Sequence, residues 1–161
     1  MLETRLAPMA AMTTPSTRKI EGVAVPYKSM SCLMHDRRRA YREKVKPGAL
    51  QWSDDTVLLC QHDQSGVPLA RVSSGTLRFT ESEKGLMFEA DLPENRADVL
   101  EALERGDLDG ACSIGFVCEE DTWMHSSKGS IRTVQKANLI ELSLVTAGAY
   151  PAARGSLKES Y

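Results

Sequence analysis

Three residues of the 161-residue chain could together carry out acyl transfer: His62, Ser113 and Glu141. Ser113 lies in "GACSIGF", residues 110–116, between small residues and an aromatic. The stretch is close to the nucleophile elbow of α/β-hydrolases but does not match it. That elbow places glycine two residues before the serine and a helix after it. Here Cys112 precedes the serine directly, and Ile114, Phe116 and Val117 continue as a strand would. A nucleophile at Ser113 would therefore act from a β-strand and draw its base from elsewhere. Alternation sends Cys112 and Ser113 to opposite faces, so only one of them can meet a shared partner.

The chain has three histidines. His62 ends the apolar run "TVLLCQHD", and a strand end is a rigid platform for a base. The plainer reading is a surface-turn histidine bonded to Asp63 or Gln64. His35 sits beside Asp36 in a basic loop, and His125 sits in "WMHSSKGS", a loop or hairpin tip. Glu141 stands in "NLIELSLV", where a charge is rarely buried unless paired. Alternation gives Leu139, Glu141, Ser143 and Val145 one face and Ile140, Leu142 and Leu144 the other. The second face reads as core; Glu141 faces a polar site or, by default, solvent. In a Ser-His-acid arrangement histidine takes the hydroxyl proton, and the carboxylate fixes the imidazole tautomer and stabilises the imidazolium.

The elements that must position these groups are mostly strands. Residues 1–17 read as a flexible leader, 18–153 as one folded domain and 154–161 as a flexible tail. "KIEGVAVPY" predicts a first strand that buries Ile20, Val23 and Val25. "KSMSCLMHDRRRA" reads as a long loop. "YREKVKPGAL" reads as a strand, a Pro47-Gly48 break and a helical turn around Ala49, Leu50 and Trp52. Leu69–Phe79 and Leu86–Leu92 predict a hairpin closed near Gly85. One helix is expected in "ENRADVLEALERGDLDG", with Ala97, Leu100 and Leu103 at helical spacing, Asn95 as N-cap and Gly106 as stop. Strands at hairpin spacing predict an antiparallel β-barrel, closed or nearly so.

Composition narrows the classes. A hydrophobic content of 42% supports a packed core, and a net charge of -2 argues against a protein that coats nucleic acid. The basic run Arg37-Arg38-Arg39 reads as a solvated turn. No run approaches the roughly 20 apolar residues of a membrane span. The four cysteines form no CxxC pair and read as reduced thiols. A zinc site from Cys60, His62 and Cys112 is a weak alternative, so neither metal nor other cofactor is expected.

Six stretches, in order, resemble the HK97-type phage prohead proteases, the capsid maturation proteases. They are "RKIEGVAVPY", "EKVKPGAL", "VLLCQHD" followed by "PLARV", "GLMFEADLP", "DVLEALERGDLDGACSIGF" and "NLIELSLVTAGAYPAA". The resemblance implies a fold like that of the herpesvirus assembly proteases, a β-barrel surrounded by helices. It implies a serine endopeptidase acting inside the immature capsid, in the host cytoplasm. The substrates would be scaffold, or the scaffold-like amino-terminal segment of the major capsid protein, and the protease itself. His62 is then the base and Ser113 the nucleophile. Glu141 stands where the herpesvirus relatives have a second histidine, with His125 as its rival. Those relatives also imply a homodimer. "TAGAYPAA" departs from the more usual "PAN"-containing ending, which bears on the backbone of Ala147 to Tyr150. The alternatives are a catalytically silent capsid-assembly or scaffold-binding module, and an esterase on the same barrel.

Overall fold

A single long strand organises the molecule. In the computed structural model, which describes residues 2–6, 18–146, 153 and 155–157, this is β10, Gly129–Val145. Before it come β1 (Glu3–Leu6), β2 (Lys19–Pro26), β3 (Met34–His35), β4 (Ala40–Val45), β5 (Leu50–Cys60), β6 (Ala70–Arg71), β7 (Leu77–Glu81), β8 (Gly85–Asp91), helix α1 (Ala97–Arg105) and β9 (Ala111–Ser126). After it comes β11 (Gly155–Leu157).

Along one edge β10 pairs antiparallel with β9 over almost its whole length, a hairpin closed by the turn at residues 127–128. Along the other edge it pairs in parallel, first with β4 and then with β5. The Pro47-Gly48 turn separates those two partners. Lys46 N–H still donates to Val134 O (3.1 Å), and Ala137 N–H to Ala49 O (2.8 Å), so β4 and β5 track one strand through the jog. The predicted helical turn at 49–52 is therefore the start of β5. Its apolar residues fill a strand edge that local pattern alone cannot distinguish from one helical turn.

The seven-stranded sheet runs β1-β9-β10-β4-β3, with β5 on β10 and β6 on β5; the four-stranded sheet runs β11-β2-β8-β7. One core serves both: Ile20, Leu77, Leu86 and Phe88 come from the smaller sheet, and Leu58, Ile114, Phe116, Leu142 and Leu144 from the larger. The expected closed antiparallel barrel is not found among the described residues. Two sheets stand in its place, two of the β10 pairings are parallel, and the surrounding helices reduce to α1. The error has a physical source, since hairpin spacing reports neighbours in sequence whereas β4 and β5 reach β10 from far along the chain.

Smaller differences follow the same logic. The run expected as one strand from Leu69 splits: β6 pairs with β5, and only β7 forms the hairpin with β8. The loop before residue 40 contains β3, folded back on β4 by a turn in which Asp36 Oδ1 accepts the N–H groups of Arg38 (2.7 Å) and Arg39 (2.8 Å). Helix α1 ends as expected at Gly106, whose left-handed φ of 78° lets its N–H reach Leu103 O. Its start lacks the predicted Asn95 cap: Arg96 holds the N-cap position with no side-chain hydrogen bond, and Val99 and Leu103 are buried while Ala97 is exposed.

At the start of the stretch read as a leader, residues 3–6 form β1 on β9, and residues 7–17 lie outside the described residues. In the tail, residues 155–157 form β11 on β2, and 154 and 158–161 lie outside. Arg132 of β10 ties β1 in place. Its guanidinium pairs with Glu3, with Asp121 (2.7 Å) and with the fully buried Glu43 (3.2 Å). Burial works against the charge on Arg132, but its hydrogen bonds to Glu3 and Asp121 outweigh that and hold its pKa above the ordinary value. Among the described residues no helix is long and apolar enough to cross a membrane.

Candidate active site

His62 is presented by a strained turn. At the end of β5 the chain passes through two consecutive non-glycine residues with positive φ, Gln61 at 55° and His62 at 57°. Each such residue costs on the order of 1–3 kcal/mol and persists only where its surroundings hold it. Here they do. Gln61 N–H donates to Leu144 O (2.8 Å), His62 N–H to Ser143 Oγ (3.2 Å) and Asp63 N–H to Cys60 O (3.0 Å). Beyond the turn, Asp63 Oδ1 accepts the hydroxyl of Ser65 (2.6 Å) and the N–H groups of Ser65 and Gly66. Those hydrogen bonds, led by the Ser65 hydroxyl, hold the Asp63 carboxyl below the usual carboxylate range.

The imidazole bridges two strands. Ser113 Oγ on β9 lies 2.6 Å from His62 Nε2, and His62 Nδ1 contacts Glu141 Oε1 on β10. An ionised carboxylate only accepts, so the proton of the neutral ring belongs on Nδ1. Nε2 is then left with the lone pair that faces the serine hydroxyl. Glu141 is 1% exposed, and its second oxygen accepts the Ser143 hydroxyl at 2.6 Å. The default expectation of a solvent-facing Glu141 is thus corrected: the charge is buried because both oxygens have partners. The plainer alternative for His62, a surface turn bonded to Asp63 or Gln64, does not describe the ring, whose contacts are Ser113 and Glu141, the two residues grouped with it from the sequence.

A bulge explains the faces of β10. Its register against both β5 and β9 shifts between Leu139 and Glu141. Ile140, expected in the core with Leu142 and Leu144, is expelled and 41% exposed, whereas the two leucines are buried.

Two participants carried signals that the sequence reading did not use. Ser143 shares Glu141's face and supports both the carboxylate and the backbone of His62. Gly115 lies opposite Glu141 in the β9–β10 ladder, and a Cβ there would sit 2.6 Å from Glu141 Oε1. The glycine of "SIGF" is the space into which the carboxylate fits.

The other candidates lie elsewhere. Cys112 is fully buried on the opposite face of β9, where desolvation pushes its thiol up to about 12. It therefore cannot join His62 at a metal, and no group of three metal-ligating side chains converges among the described residues. His125 is exposed near the far end of β9, on the order of 40 Å of extended strand from Ser113. Its Nδ1 meets Ser130 Oγ at 2.8 Å and its ring stacks on Trp123. Residues Ala147 to Tyr150 lie outside the described residues.

The Ser113–His62–Glu141 chain of contacts has the connectivity needed to draw a proton off a hydroxyl and stabilise the resulting imidazolium. No curated protein and no solved structure matched the chain. A family profile described as caudovirus prohead serine protease matches residues 7–160, nearly its whole length. The chain belongs to the caudovirus prohead serine protease family, a family of serine peptidases.

Proposed function

We propose that the chain is an active serine endopeptidase of capsid maturation, with Ser113 as nucleophile, His62 as general base and Glu141 as the carboxylate that orients the imidazole. The observation that carries the proposal is the 2.6 Å contact between Ser113 Oγ and His62 Nε2, backed by Glu141 on Nδ1. In the acylation step Ser113 Oγ bonds to the scissile carbonyl carbon while its proton passes to Nε2. The imidazolium then gives that proton to the departing amine as the C–N bond breaks. Water, deprotonated by the same nitrogen, cleaves the acyl-enzyme and restores the hydroxyl.

On this reading the substrates are scaffold, or the scaffold-like amino-terminal segment of the major capsid protein, and the protease itself, cut inside the prohead. Kinship in fold with the herpesvirus assembly proteases belongs to the same reading, with Glu141 in place of their second histidine. So does a homodimer, which sedimentation would measure. The test is to incubate the purified chain and its Ser113→Ala variant with the cognate scaffold and capsid proteins and follow fragments by mass spectrometry. Cleavage by the parent alone is the expected result. Intact substrates in both reactions would instead make this a silent assembly or scaffold-binding module.

A further inference from the structure

Ser113 is 1% exposed, yet a nucleophile must be reached. Beside it along the open edge of β9 lies β1, paired antiparallel with Leu6 opposite Ser113, Arg5 opposite Ile114, Thr4 opposite Gly115 and Glu3 opposite Phe116. β1 is the edge strand of its sheet, so without it the backbone of residues 113–116 would present an unpaired row of donors and acceptors. Such an edge next to a reactive hydroxyl is suited to an extended peptide, which it can hold by main-chain hydrogen bonds without regard to most of its side chains.

We propose that this edge is the substrate-docking strand, and that residues 3–6 are a resident occupant which an extended segment of the protein substrate must displace. The inference rests on the peptidase reading and adds to it how the substrate lies: antiparallel to β9, its chain running past Ser113 as Leu6 does. Two features suit β1 to leave. It is only four residues long. Among the described side chains, Glu3 of β1 meets Arg132 as one of three carboxylates around that guanidinium, so Arg132 keeps Glu43 and Asp121 when Glu3 departs.

The experiment uses the full chain carrying Ser113→Ala and reads amide hydrogen exchange of residues 113–116 by mass spectrometry. Alternate N–H groups of a strand point to its neighbour, so the double change Thr4→Pro/Arg5→Pro removes a donor on either register. It should speed exchange at 113–116 by at least tenfold, and Glu3→Gln should give a smaller rise. Adding the cognate scaffold segment should slow exchange there again. Unchanged exchange in both β1 variants, or no renewed protection with the segment, overturns the proposal; if the proline variant does not fold, Glu3→Gln decides. Labelling of Ser113 by a fluorophosphonate in a chain that keeps the serine and carries the β1 changes tests the nucleophile separately. Strand displacement without labelling would sink the peptidase reading and leave the docking edge standing. Labelling without displacement would do the reverse.

Discussion

Ser143 stands directly across the β9–β10 ladder from Ser113, and its hydroxyl donates to Glu141 Oε2 at 2.6 Å while accepting the backbone N–H of His62 at 3.2 Å. One small side chain thus braces both the Glu141 carboxylate and the His62 backbone against β10, the strand that faces Ser113.

Ser143→Ala leaves a buried carboxylate oxygen without its donor, a cost of about 1–3 kcal/mol. If part of that falls on the transition state, the rate should drop roughly 5- to 100-fold. A purely structural role would lower only the melting temperature. A positioning role should also move the acid limb of the pH–rate profile, and Ser143→Thr, which keeps the hydroxyl, should restore much of the loss.

Ser113→Ala and His62→Ala should each remove about 10⁴- to 10⁶-fold of the rate, because members of a triad act as a unit. The fold of Ser113→Ala should be unchanged by circular dichroism, since alanine fits the same strand position. In the parent the rate should fall on the acid side, because only the neutral imidazole accepts the hydroxyl proton. A profile flat from acid to neutral would exclude a histidine base.

Glu141→Gln keeps the shape but loses the charge that stabilises the imidazolium, and its amide can favour the wrong tautomer. The loss should be large yet smaller than for Ser113 or His62. His125→Ala, far along β9, should be nearly silent. Assayed side by side on scaffold, the reverse pattern would give the third role to His125, and two silent variants would leave a Ser-His dyad.

Gly115→Ala would drive a methyl group to 2.6 Å from Glu141 Oε1. The carboxylate must shift, so we expect a loss approaching that of Glu141→Gln with a milder drop in melting temperature. Activity equal to the parent would show that the site tolerates a displaced acid.

Cys112 should resist iodoacetamide in the native protein at pH 8, while the exposed Cys32 reacts, because burial holds the Cys112 thiol near 12 and so protonated. The same shift acts on stability. The thiol's contribution is fully present below the unfolded value of about 9 and is lost as pH rises toward 12.

The site was partly legible before the fold was. Ser113, His62 and Glu141 could be grouped as candidates because each is a polar residue at the edge or in the middle of an apolar run. That pattern favoured a surface turn for His62 and solvent for Glu141, and only the resemblance to the prohead proteases gave His62 and Ser113 their roles. Ser143 and Gly115 did not stand out: a serine and a glycine in a strand are common, and their meaning depends on a ladder register that pattern does not give. The β7–β8 hairpin and the end of α1 were legible because turn glycines and periodicity are local. The barrel expectation failed because parallel pairing of β4 and β5 with β10 is set by contacts between distant segments. Ile140 was misassigned because a bulge breaks the two-residue period on which face assignment rests.

The central position of β10 also orders events during synthesis. β4, β5 and β9 all leave the ribosome before the strand on which they assemble. Until β10 emerges, Gln61 and His62 lack Leu144 O and Ser143 Oγ to hold their left-handed turn, and the imidazole has no carboxylate. A nascent chain therefore carries the serine and the histidine without the geometry that joins them. Whatever chemistry the site performs begins only once β10 docks, so the fold itself delays the reagent until that strand has been made.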